Sequence, residues 1–122
     1  MVKTNILGND YKIELGDLNE LELADYSGKC YGYKKKILLR YPQFMFTDGA
    51  DDSEKQERFK EVLLHELVHA YSRESATHYD DDEALVDWIA IMIPKIISSY
   101  DDIIKQFQEE EANGISGSSK CV

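Results

Sequence analysis

At Asp51 the sequence changes its periodicity, and that change constrains the fold more than any other feature. Before it, short apolar runs alternate with glycine-bearing turns; after it, apolar residues recur at helical spacing. "KTNIL" and "YKIEL" flank Gly8-Asn9-Asp10, and "YSGKCYGYKKKILLRYP" has the form of a hairpin ended by Pro42. Leu18 to Ala24 fits either a helical turn or a strand. Asp51, Asp52 and Ser53 offer caps for a helix from about Ser53 to Arg73. "ESATHYDDD" is a loop whose Asp80, Asp81 and Asp82 cap a second helix, "EALVDWIAIMIPKI", kinked or ended by Pro94. "SSYDDIIKQFQEEEA" is a third helix. The expected class is α+β: a small antiparallel sheet of about three strands, then three helices, the first two carrying the site.

A chain of 122 residues is expected to form a single domain, here residues 1–111, with a small, polar, flexible tail over 112–122. The formal net charge of −10 argues against a nucleic-acid partner, because neutralising phosphates takes clustered cations. The one basic run, Lys34-Lys35-Lys36, fits a hairpin turn. Cys30 and Cys121 do not make a disulfide framework, which points to a reducing interior. No long apolar segment of a secretory signal or membrane span stands out, so a cytoplasmic protein without a membrane partner is expected.

Within the first helix lies "LLHELVHAYS", Leu63 to Ser72. At about 100° per residue, His65 and His69 fall some 40° apart and project from one stripe. Two neutral imidazoles can occupy two corners of a zinc tetrahedron. Glu66 sits beside such an ion, where it can take a proton from an attacking water. A pair of hydrogen-bonded core histidines would explain each ring separately. It would not explain a carboxylate among Leu63, Leu64, Leu67 and Val68, which is costly unless something pairs with it.

A catalytic zinc site needs a third protein ligand. Between Ala84 and Ile93 the second helix is apolar nearly all round, the pattern of a buried helix. Glu83 and Asp87 stand four apart on one stripe. Glu83 is the economical third ligand, with Asp87 accepting a hydrogen bond from a ligand imidazole; the two roles can also be exchanged. His78 does not fall at the spacing of a third histidine ligand of the metzincin type. It fits a solvated loop residue or a donor to a developing oxyanion, a role open equally to Tyr79 and Tyr71.

"LLHELVHAY", followed after a short loop by "EALVDWIA", resembles the ImmA/IrrE-type zinc metallopeptidases, small gluzincins often encoded by phages and mobile elements. The resemblance covers roughly Cys30 to Lys95 and departs from the family at Val68, where glycine is common. It implies His65, His69 and Glu83 as zinc ligands, Glu66 as general base, and Asp87 as the acid of the ExxxD pattern. It also implies a sheet edge that holds a peptide substrate extended, for which Lys35 to Tyr41 is the candidate strand. The expected activity is zinc-dependent hydrolysis of a peptide bond in a protein or peptide. The rival is a zinc-binding protein that captures a protein partner stoichiometrically, as an inhibitor or anti-repressor would.

Overall fold

The computed structural model describes residues 2–16, 26–45, 49–77 and 82–113. Strands β1 (Val2–Ile6), β2 (Asn9–Gly16), β3 (Gly28–Tyr31) and β4 (Lys36–Arg40) precede helices α1 (Asp52–Glu74) and α2 (Glu83–Ala112). The class is α+β. The chain divides into two compact units, Met1–Ile91 and Met92–Val122, and α2 contributes residues to both. No helix among the described residues is long and apolar enough to cross a membrane.

The sheet has four strands, one more than expected, in the order β1-β2-β4-β3. Leu7 and Gly8, both at positive φ (49° and 95°), make the tight turn that lets β2 fold back on β1. A second hairpin joins β3 to β4, with Lys35 at φ 51°. The sheet is mostly antiparallel, as expected; the exception is β2 and β4, which pair in parallel with Ile13 opposite Ile37 and Leu15 opposite Leu39. Since β4 enters from the β3 hairpin and lies between β3 and β2, it cannot be an edge. Lys35 to Tyr41 is therefore corrected from edge to centre, and the edge beside it is β3. The unbroken run Ile37-Leu38-Leu39 carries this signal, because a strand covered on both faces has no reason to alternate; these three are 0%, 5% and 0% exposed.

Helix α1 opens on a capping box, in which the Asp51 carboxylate accepts from the Glu54 amide and Glu54 accepts from the Asp51 amide. Val62 and Ala70 bury against Ile6, Tyr11, Ile37, Leu39 and Met45, with Phe59, Leu63 and Leu67 packed at the margin. At its last residue, Glu74 accepts from Asn9, from the Tyr11 hydroxyl and from Lys35 at 2.6 Å. These bonds, Lys35 first, hold the Glu74 carboxyl below its ordinary range, while burial and Glu74 raise the Tyr11 phenol. The helix then ends in a Schellman turn. Thr77 donates to the Ser72 carbonyl and Ala76 to that of Arg73, with Ala76 at φ 55°. Both hairpins and the helix terminus are thus tied at one point.

Two helices stand where three were expected, because α2 continues through Pro94. Proline forfeits one hydrogen bond and costs about 3 kcal/mol in a helix interior. Nor is the start of α2 buried all round: Val86 and Ala90 are buried, while Trp88 is 57% exposed. In the second unit, α2 carries Ile96, Tyr100, Ile103 and Phe107 at helical spacing. Its last turn closes with Asn113 donating to the Glu109 carbonyl. Residues 17–25 include the ambiguous Leu18–Ala24 segment and 114–122 most of the expected tail; both lie outside the described residues.

Candidate metal centre

His65, Glu66 and His69 occupy the middle of α1, where the helix lies across the sheet beside β3. The close approach requires Gly28. A Cβ there would fall 2.7 Å from Val62 Cγ1, 2.9 Å from Leu39 Cδ2 and 3.3 Å from Glu66 Cγ. A glycine at that point lets the edge strand and the helix share a boundary at the site, and only the third dimension reveals the need for it. The neighbouring Tyr26 borders the same space. Its carbonyl is held at 2.9 Å by Nε of Arg40, a buried arginine that also donates to the Phe44 carbonyl.

Glu83 and Asp87 come from the first turns of α2. Asp82 caps that helix, its carboxylate accepting from the Leu85 amide at 3.0 Å. Glu83 is then the first helical residue and Asp87 stands one turn on. Both side chains face α1. His65 Nε2 lies 3.2 Å from His69 Nε2 and 3.1 Å from Glu83 Oε2, and His69 Nε2 lies 2.9 Å from Glu83 Oε1. On the far side of the His65 ring, Nδ1 donates to Asp87 Oδ1 at 2.7 Å.

The bond to Asp87 places a proton on His65 Nδ1 and leaves Nε2 facing the Glu83 carboxylate, so that a proton or a metal ion can lie between the two. Two acceptors 3.1 Å apart repel unless a positive charge lies between or beside them. A tetrahedral ion with ligands at 2.0–2.1 Å sets its donor atoms about 3.3 Å apart, close to the spacings observed. His65, His69 and Glu83 thus form a possible metal-binding triad, their donor atoms all within 4.8 Å of one another. Asp87 stands behind the His65 ring, where the carboxylate partner of a ligand imidazole would stand. Of the two assignments open in sequence, the geometry has Glu83 facing both imidazoles and Asp87 touching only Nδ1.

Glu66 is not among the three. It turns toward β3 and is 7% exposed. Burial pushes its carboxyl up to about 7; the His65 ring offsets part of that rise and the Glu83 carboxylate reinforces it. Such a group can accept and return a proton near neutrality.

The site opens into a cleft of about 340 Å³ lined by Tyr26, Gly28, Cys30, His69, Glu83 and Arg73 among others. A second cleft of about 310 Å³ shares His65 and Glu66 and runs on past Val62, Ala90 and Ile91. His78 and Tyr79 lie outside the described residues. Tyr71, two residues from His69 and so about 200° around the helix, is carried away from the triad. Sequence reasoning missed Gly28, Tyr26 and Arg73. Of these only Arg73 left a trace, as the next member of the 65–69 stripe. No family model, curated protein or solved structure matches this chain.

Proposed function

We propose that this chain is a zinc-dependent metallopeptidase that hydrolyses a peptide bond in a protein or peptide substrate. The observation that carries the reading is the convergence of His65 Nε2, His69 Nε2 and Glu83 on one point, with Asp87 fixing the His65 tautomer. Nitrogen and oxygen donors in a set of three, with space left for a further ligand, suit catalytic zinc. Structural zinc sites are usually closed by four ligands and rich in cysteine.

When bound, zinc supplies Lewis-acid chemistry: it acidifies water and polarises a carbonyl oxygen. Glu66 takes the proton of the attacking water and delivers it to the leaving amine, and its raised pKa suits both transfers near neutral pH. Asp87 keeps the His65 ring oriented with its lone pair inward. The role of donor to the oxyanion is assigned to His78 or Tyr79 on the sequence alone. The substrate lies extended along β3, whose outer edge has no strand partner among the described residues, and not along β4.

The test is metal content by mass spectrometry on wild type and Glu83→Ala, joined to hydrolysis by Glu66→Gln. About one zinc per wild-type chain, its marked loss in the first variant, and zinc without hydrolysis in the second are expected. No zinc even after supply, or unchanged turnover in Glu66→Gln, refutes the reading. A target that shifts on a gel without shortening assigns stoichiometric capture instead.

A further inference from the structure

Helix α1 carries a third polar residue on the stripe of the two histidines. Arg73 follows His69 by four residues, which puts its Cα about 6 Å further along the helix axis. Its side chain lines the same cleft as His65, Glu66, His69 and Glu83. Two features hold the guanidinium there. It stacks on the Tyr33 ring, with Cζ 4.5 Å from the centroid. It also lies against Gly32, where a Cβ would collide with Cδ, Nε and Cζ.

Arg73 is exposed to solvent, and none of the described carboxylates forms an ion pair with its guanidinium. The adjacent Glu74 gives its carboxylate to Lys35 at 2.6 Å. The contrast is Arg58, bordering the other cleft, which is paired with Glu61 at 3.3 Å. Arg73 therefore presents donors in a planar fork to the cleft, the geometry that matches a carboxylate.

We propose that Arg73 is a specificity-determining residue, selecting peptides that carry a carboxylate about two residues from the scissile bond. The inference rests on the metallopeptidase reading and names its substrate class. The spacing follows from the fold, since an extended peptide advances about 3.3 Å per residue and covers the 6 Å offset in two. An Asp or Glu side chain, or the C-terminal carboxylate of a short peptide, supplies the same chemistry. With a net charge of −10 the protein does not draw acidic peptides from a distance, so the selection is by contact in the cleft.

Calorimetric titration of the zinc-loaded full chain with hydroxamate probes separates this inference from the reading beneath it. Acetohydroxamate alone reports the metal. Dipeptide hydroxamates extending from either side of the chelating head, with Glu or Gln at the second residue, report the side chain. A Gln probe ending in a free acid or an amide reports the terminus. In one orientation the carboxylate-bearing probe should bind about 10- to 100-fold tighter than its neutral partner, as a charged hydrogen-bonded contact implies. Arg73→Gln should abolish that preference, and Gly32→Ala, which displaces the guanidinium without removing it, should weaken it. Both variants should bind acetohydroxamate as wild type does. Acetohydroxamate binding with no carboxylate preference in either orientation overturns the role of Arg73 and leaves the metal site standing. Failure of wild type to bind acetohydroxamate overturns both.

Discussion

Glu66→Gln should make the metal-free protein more stable, and only at the upper end of the pH range. The carboxyl is 7% exposed and burial pushes its pKa up to about 7 in the folded chain, against an ordinary value of 4.5. A folded-state pKa raised above the unfolded one means that the folded chain holds the proton more tightly. The resulting stability is fully present below about pH 4.5 and is lost as pH rises through 7. A shift of this size corresponds to a loss on the order of 3 kcal/mol between those limits. Glutamine has the shape of the protonated acid and never ionises, so the variant escapes the loss. Urea unfolding in chelator from pH 4.5 to 8 measures it. With a slope of about 2 kcal/mol/M, the variant's midpoint should lie roughly 1.5 M above wild type at pH 8 and coincide with it at pH 4.5. Taking the difference between the two proteins at each pH cancels most of the titration of the histidines. Added zinc should narrow the gap, because a cation beside Glu66 favours its charged form. A difference that does not vary with pH, or a wild type more stable than the variant at pH 8, would falsify the account of a buried, proton-holding carboxyl.

Three other substitutions probe the surroundings of the site. Asp87→Asn leaves His65 without its charged partner and should weaken zinc binding about 10- to 100-fold in a competition titration with a chromophoric chelator. Gly28→Ala drives a methyl into Val62 and Leu39; thermal unfolding should show a loss of about 1–3 kcal/mol, and an unchanged midpoint would mean that β3 and α1 are not in tight contact. Ala76→Gly relieves the left-handed backbone at the end of α1 and should raise stability by about 1 kcal/mol in denaturant unfolding, with no change in zinc content.

The parts of this structure that could be read in the sequence are those fixed by spacing within one helix. His65 and His69 meet because four residues make little more than a turn. Glu83 and Asp87 share a face for the same reason, and Asp82 announces where their helix begins. The capping box at Asp51 is equally local. What the sequence hid depends on neighbours distant in the chain. The parallel pairing of β2 and β4 is a choice of strand order that no local residue dictates. It moved the sheet edge from β4 to β3 and with it the proposed track of the substrate. Gly28 reads as an ordinary turn residue until Val62 and Glu66 are packed over it. Arg73 reads as a basic residue in the last turn of a helix, favourable to the dipole, until Gly32 and Tyr33 frame it. Pro94 is the converse case: a strong local signal to stop, through which the helix runs on.

The attachment of α2 to the metal stripe has a mechanical consequence. Val86 and Ala90 are the buried side chains of that helix, both in its first turns. Leu85 and Ile89 are half-buried beside them, and the exposed Glu83 and Asp87 add contacts with His65 and His69. An ion held by His65 and His69 from one helix and Glu83 from the other would act as a rivet through both. Drawing it out would free the joint while leaving the sheet and α1 braced by their own core. Loading with metal would then set the stiffness of the cleft wall as well as its chemistry.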